Sequence, residues 1–185
     1  MKKLLIVGGS GTIARAFLNE YYDYYDFHCI ARNERHLAEI KRDFPMVDIY
    51  TGNIENKTQL FYQFDKIKPD IVVHMAAMKH VNLVEENPIQ GAIINVQGSL
   101  NVIEACIRTD VPVTVGLSTD KACAPENVYG YTKSILESCF LESNSDRNKF
   151  ACTRFANVAL TSDSVIPLWK TLIEEDKPLK LTDIK

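Results

Sequence analysis

Six short runs rich in leucine, isoleucine and valine, separated by longer stretches of helical periodicity, constrain this chain more than any other feature. They lie at Leu4 to Val7, Phe27 to Ile30, Val47 to Tyr50, Ile71 to His74, Val113 to Leu117 and Phe150 to Thr153. A strand buried on both faces reads as a continuous apolar run, so the pattern predicts an α/β fold: a doubly wound parallel sheet with helices on both faces. Breakers fall where loops are needed, with Pro45, Pro69-Asp70 and Pro112 just before the third, fourth and fifth runs. From Asn87-Pro88 to Arg108 the spacing of Ile89, Ile93, Ile94, Val96, Leu100, Val102, Ile103 and Ile107 predicts one long helix with a broad buried face. Gly91 and Gly98 within it suggest close helix packing, and the cluster Tyr21, Tyr22, Tyr24 and Tyr25 reads as packing at a helix end.

Composition narrows the function classes. With 185 residues, 46% of them apolar and 24% charged, the chain can bury one substantial core. A formal net charge of -3 argues against a nucleic-acid partner, which would call for a basic face. The apolar run after Lys2-Lys3 stops at Gly8-Gly9 with no cleavage site, and no other run approaches a membrane-spanning length. The five cysteines, Cys29, Cys106, Cys123, Cys139 and Cys152, are scattered and odd in number. They read as reduced thiols of a cytoplasmic protein with no metal site, the competing reading being a redox role for Cys123.

The first run leads straight into Gly8-Gly9-Ser10-Gly11-Thr12-Ile13-Ala14 and then a helical pattern. This is the context of a Rossmann-type dinucleotide fingerprint: the glycines admit a turn and a close approach to a pyrophosphate, and the helix amino end supplies free N–H groups. The same glycines could serve only a tight strand-to-helix turn. At the end of the second run stands Ala31-Arg32-Asn33. An acidic residue there selects NAD, whereas Arg32, assisted by Arg35, would clamp a 2′-phosphate, so NADP is expected, with NAD possible.

The sharpest signal is Leu117-Ser118-Thr119-Asp120-Lys121 after the fifth run, followed by Tyr129-Gly130-Tyr131-Thr132-Lys133 opening a helix. Tyr129 and Lys133, four apart, share a helix face, so the ammonium is expected to lower the phenol's pKa and make it usable as a base. Ser118 and Thr119 would hydrogen-bond a sugar hydroxyl. The alternative for Asp120 and Lys121 is ordinary loop charges, and His74 at a strand end reads first as structural.

These residues resemble the inverting UDP-N-acetylglucosamine 4,6-dehydratases and related capsule and flagellin-sugar polysaccharide biosynthesis proteins, which are extended short-chain dehydrogenases/reductases. The resemblance runs through Gly8-Gly9-Ser10-Gly11, His74-Met75-Ala76-Ala77-Met78-Lys79-His80-Val81, Asn95-Val96-Gln97-Gly98, Ser118-Thr119-Asp120-Lys121-Ala122, Tyr129 with Lys133, Asn157-Val158 and Ser164-Val165-Ile166-Pro167. It implies a nucleotide-sugar substrate and a catalytic set of Thr119, Asp120, Lys121, Tyr129 and Lys133. Tyr129 would take the proton from the carbon-4 hydroxyl, Lys121 the proton at carbon 5, and Asp120 would protonate the departing carbon-6 hydroxyl. It further implies a cofactor site of Gly8, Ser10, Gly11, Thr12, Ile13, Arg32, Asn53, Ile54, Ala76, Ala77, Lys79, Asn95, Ser118, Tyr129, Lys133, Phe155, Asn157 and Val158. Lys79, His80 and Asn157 would face the sugar.

Several positions depart from that pattern. Val7, Ala14 and Asn53 are mild changes, whereas Thr161-Ser162-Asp163 replaces a cationic residue and a glycine near the nucleotide-sugar site. The expected organisation is a dinucleotide-binding domain over residues 1–160 and, over 161–185, the start of a truncated substrate-binding lobe, in a homo-oligomer. The rival readings are a nucleotide-sugar 4-epimerase or reductase and a catalytically silent dinucleotide-binding module.

Overall fold

The computed structural model describes residues 1–159 and 164–179. In chain order the elements are β1 (Lys3–Val7), α1 (Thr12–Tyr21), β2 (Asp26–Ala31), α2 (Glu34–Asp43), β3 (Asp48–Thr51), α3 (Lys57–Ile67), β4 (Ile71–His74), α4 (Val81–Glu86) and α5 (Pro88–Ala92). A π-helical turn (Ile93–Gln97), α6 (Gly98–Arg108), β5 (Val113–Thr119), a 3₁₀ turn (Asp120–Ala122), α7 (Val128–Glu142), β6 (Lys149–Phe155) and α8 (Val165–Glu174) complete it. Each apolar run became a strand, the third displaced by one residue. The long helix expected from Pro88 to Arg108 is continuous, but a π-helical turn at its middle shifts the phase of its buried face.

The strands form one sheet in the order β3-β2-β1-β4-β5-β6. β1 lies at its centre, parallel to β2 with Val7 opposite Ile30 and parallel to β4 with Val7 opposite His74. The chain first winds outward through β2 and β3, then returns past β1 to build β4, β5 and β6. A crevice therefore opens beyond the carboxyl ends of β1 and β4, where ligands bind in doubly wound sheets.

Alternation along β1 divides the core between the sheet's faces. Leu5 and Val7 join Leu60, Phe64 and Ile67 of α3, Val102, Ile103 and Cys106 of α6, and Leu136 and Phe140 of α7. Leu4 and Ile6 join Ala14 and Leu18 of α1, Leu37 and Ile40 of α2, and Phe27 and Cys29 of β2. The tyrosine cluster packs as expected: Tyr21 and Tyr25 lie against Phe17 and Phe27, and Tyr22 against Phe44. Gly91 and Gly98 pack closely, since a Cβ at either would meet Val84 at 2.7 Å or Ile54 at 2.6 Å.

Side-chain caps start α2, α3 and α7: Asn33 accepts from the His36 N–H, Asn56 from Gln59 and Asn127 from Gly130. The chain divides into two compact units, Met1–Arg154 and Phe155–Lys185, the second holding α8. Among the described residues no helix is long and apolar enough to cross a membrane.

Phe140 is fully buried, lies parallel to His74 with ring centroids 6.2 Å apart and meets Phe150 edge-on. Phe140→Ala would open a cavity between α7, β4 and β6 and is expected to lower stability by roughly 3–5 kcal/mol. Urea denaturation checks this.

Candidate active site

At the head of the crevice the β1 turn leaves no room for side chains. Gly8 has φ +93°, and a Cβ there would stand 2.6 Å from the Ala76 backbone nitrogen. The Gly8 and Gly9 N–H groups donate to the Ile30 carbonyl, and those of Met75 and Ala76 donate to Val7. These bonds tie the ends of β2, β1 and β4 together. Gly11 begins α1 without a side-chain cap, so the N–H groups of its first turn are left for an external partner. Ser10, Thr12 and Ile13 belong to the same turn and first helical residues. Arg32 is exposed just past β2, whereas Arg35 is engaged by Glu39 at 3.3 Å.

Asn53 and Ile54 play different parts. The Asn53 carboxamide closes a local turn with Glu55, accepting from its N–H at 3.2 Å. Ile54 is buried in the core, and its carbonyl accepts from the Asn101 amide. What Ile54 could offer a cofactor is backbone.

Asn95, in the π-helical turn, is fully buried. Its carboxamide accepts from the Met78 N–H at 2.7 Å and donates to the Met78 carbonyl at 3.0 Å and to Thr132 Oγ1 at 3.1 Å. With both N–H donors committed, it shapes the loop Met75–Met78 and fastens it to α7. Ala76 and Ala77 lie in that loop, half-buried, and Lys79 and His80 follow it, exposed, with His80 at the amino end of α4.

At the end of β5, Thr119, Asp120 and Lys121 form a compact turn. Thr119 Oγ1 donates to Asp120 Oδ1 at 2.9 Å, and the same oxygen accepts from the Lys121 N–H at 2.9 Å and from Lys121 Nζ at 3.2 Å. Hydrogen bonds from Thr119 and then Lys121 hold the Asp120 carboxyl below its usual range. Asp120 therefore rests as a carboxylate in contact with the Lys121 side chain.

The turn lies against α7 because residue 130 is glycine: a Cβ there would come within 2.6 Å of the Lys121 carbonyl. Glu85 of α4 accepts from the Val128 N–H at 3.0 Å and so fixes the amino end of α7. Tyr129 and Lys133 sit on the first turns of that helix, as their spacing required.

The electrostatics correct one expectation. The Tyr129 phenol is pushed up, not down: burial dominates, a hydrogen bond with Thr119 opposes it, and the Asp120 charge raises it further. Lys133 is itself pushed down to about 8 by burial, which Cys152, once ionised, and the Glu137 charge oppose. The Lys133 residue is only 4% exposed. Ser118 Oγ, buried at the end of β5, has no hydrogen-bond partner among the described residues.

His74 has the structural role expected. Ser99 donates its hydroxyl proton to the Asn95 carbonyl at 2.6 Å, so the 2.9 Å contact between His74 Nε2 and Ser99 must be a donation from the ring. The imidazole is then the neutral Nε2–H tautomer, with a bare, unpartnered Nδ1.

Phe155, Asn157 and Val158 fall in the second compact unit. Thr161-Ser162-Asp163 lies outside the described residues. Among the described residues no His, Cys, Asp or Glu cluster could hold a metal, and all five cysteines are free thiols. The sequence reading missed Glu85, Gly130, Glu137 and Arg154. Only Glu137 left a signal, its spacing of four from Lys133.

The glycine turn, the uncapped α1, the unpartnered Ser118 hydroxyl and the buried Lys133 fit a dinucleotide lying across the crevice. Together with a Tyr and Lys four apart on α7, they define a Rossmann-type short-chain dehydrogenase/reductase. The chain belongs to the polysaccharide biosynthesis protein family, whose sequence model matches residues 4–185. It is 34% identical over 194 residues to an inverting UDP-N-acetylglucosamine 4,6-dehydratase of Campylobacter jejuni subsp. jejuni serotype O:2, an alignment covering 100% of this chain and 58% of that protein. Among solved structures it is similar to Pen from Bacillus thuringiensis, with TM-score 0.92 and 32% identity over 100% of this chain and 61% of that one. It also shares its fold with the UDP-glucose 4-epimerase from Brucella ovis in complex with NAD, with TM-score 0.75 and 21% identity over 85% and 52% of the two chains. The chain thus spans little more than half the length of these proteins.

Burial holds His74 down to about 3, with Lys133 a smaller contributor, against about 6.5 in an unfolded chain. The unfolded state then binds the extra proton between these values, so stability present above pH ~6.5 is lost as pH falls toward ~3. His74→Asn is expected to flatten that fall by up to about 1.4 kcal/mol per pH unit in denaturant titrations across this window.

Proposed function

We propose that this chain is the dinucleotide-binding and catalytic portion of an NADP-dependent nucleotide-sugar 4,6-dehydratase. It would convert a UDP-N-acetylglucosamine-like substrate to a 4-keto-6-deoxy product in surface polysaccharide or glycan biosynthesis. The observation that carries this reading is the Asp120–Lys121 contact pair, seated on Gly130 beside the Tyr129 phenol. Epimerisation at carbon 4 needs the Tyr and Lys alone; a second acid–base pair serves proton transfers at carbons 5 and 6.

In this proposal Gly8, Ser10, Gly11, Thr12 and Ile13 cradle the pyrophosphate, and Asn53, Ile54, Ala76 and Ala77 line the adenine and ribose side. Arg32, free of an ion pair among the described residues, meets a 2′-phosphate. Ser118, Tyr129 and Lys133 hold the nicotinamide end, Asn95 through the loop it fixes, with Lys79, Phe155, Asn157 and Val158 as further contacts. A nicotinamide dinucleotide, when bound, supplies a hydride acceptor and donor and a positive charge beside the phenol. Tyr129 needs that charge and the Lys133 ammonium, because burial alone disfavours the phenolate.

Tyr129 then takes the proton of the carbon-4 hydroxyl, which Thr119 orients. The resulting ketone acidifies carbon 5. Asp120 rests as a carboxylate, and its 3.2 Å contact with Lys121 Nζ is the path by which it gains the proton the reaction requires. The Lys121 amine then removes the carbon-5 proton, and the Asp120 acid gives its proton to the departing carbon-6 hydroxyl. Lys79, His80 and Asn157 are assigned to the sugar.

A homo-oligomer formed through the long helix and α7 is part of the proposal. Ile89, Ile93 and Ile107 of the first and Tyr131 and Ile135 of the second are exposed.

The test is incubation of the chain with UDP-N-acetylglucosamine and NADP⁺ in heavy water, followed by NMR and mass spectrometry. A 4-keto-6-deoxy product deuterated at carbon 5 is expected, with Lys121→Ala and Tyr129→Phe each slowing it by on the order of 10²-fold or more. Arg32→Ala should weaken NADP⁺ more than NAD⁺. An unlabelled 4-epimer, or tight cofactor binding without turnover, would replace this reading with one of its two rivals.

A further inference from the structure

Lys133 presents a physical problem that the proposed chemistry does not solve by itself. The residue is 4% exposed, and burial penalises the charge of its ammonium. Three ionisable groups bear on it. His74 on β4 is neutral, being pushed down to about 3. The Cys152 thiol on β6 is pushed up to about 11, chiefly by burial, and so carries no charge near neutrality. Glu137 is the third: it lies one helical turn beyond Lys133 on the same face of α7 and is 9% exposed.

Glu137 is itself held on both oxygens. Arg154 Nε donates to Oε1 at 2.9 Å and Nη2 to Oε2 at 2.7 Å, a paired contact joining α7 to β6. Arg154 Nη1 also lies 2.9 Å from Cys123 Sγ, which anchors the guanidinium from the loop after β5. The Arg154 hydrogen bonds keep the Glu137 carboxyl below its usual range and therefore ionised. The carboxylate is thus fixed in place and charged, one helical turn from Lys133 on α7.

We propose that Glu137, clamped by Arg154, is a positioning residue that supplies the counter-charge holding the Lys133 ammonium at the floor of the crevice. The inference rests on the reading of Lys133 as part of the dinucleotide site. Glu137 touches neither substrate nor cofactor; it acts through Lys133.

The experiment is a ¹³C NMR titration of the chain labelled at lysine Cε, with the Lys133 signal assigned by its loss in Lys133→Met. The wild-type midpoint is expected at or below about 8. In Glu137→Gln it should fall by about 1 pH unit or more, and Glu137→Asp should restore most of the difference. Arg154→Gln, which removes the guanidinium but keeps the carboxylate, should leave the midpoint at or above the wild-type value. An unchanged midpoint in folded Glu137→Gln overturns the proposal, as does a fall in Arg154→Gln, which also decides the matter should Glu137→Gln not fold. NADPH binding, followed by fluorescence over the same pH range, separates the two readings. Affinity should decline above the Lys133 midpoint, and that decline should move with it in Glu137→Gln. If the wild-type chain binds no dinucleotide, the functional reading fails, while the lysine titration still judges Glu137.

Discussion

The crevice exists because the backbones following β1 and β4 approach to a distance that excludes a Cβ. Gly8 meets the Ala76 nitrogen there, and both turns hang from neighbouring strand carbonyls, Val7 and Ile30. Much else at the site is held relative to that contact. The loop beyond Ala76 is fastened by Asn95 to Thr132 of α7, and α7 in turn carries Tyr129 and Lys133. One buried carboxamide thus links the floor of the crevice to the helix bearing the candidate base. The π-helical turn is the local distortion in which that carboxamide sits, and a regular helix would give the segment a different phase.

A second constraint is charge in a half-dry site. Burial pushes the Tyr129 phenol up and the Lys133 ammonium down, so each of the two groups is driven toward its neutral form. Surrounding groups answer in different ways. His74 abandons its charge and donates to Ser99, whereas Glu137 keeps its own because Arg154 engages both oxygens. The Asp120–Lys121 pair is more exposed and settles as an ion pair. Asp120 thus rests without the proton that the proposed reaction asks of it, and a bound dinucleotide would bring a further positive charge.

Much of the architecture was legible in the residues. A strand covered on both faces must be apolar along its length, so Leu4 to Val7 and Ile71 to His74 announced themselves. The glycine turn after the first strand and the spacing of four between Tyr129 and Lys133 were equally plain, because both follow from local geometry. The one-residue displacement of β3 reflects an edge strand whose ends are set by pairing with β2. Glu85, Gly130 and Arg154 could not be picked out, since each matters through a neighbour distant in sequence: the Val128 N–H, the Lys121 carbonyl and the Glu137 carboxylate.

The sequence by itself determined the order of strands and helices, the place of the glycine turn and which residue types stand at the ends of β1 and β5. These depend on periodicity and backbone freedom, which operate over a few residues. Only the tertiary structure decided the ionisation of the site. Whether Tyr129 is pushed up or down, whether Asp120 is an acid or a carboxylate, and what balances Lys133 depend on burial and on charges brought from other elements. Solvation and Coulomb energies act through space, and the chain order of the groups that feel them carries no record of those distances.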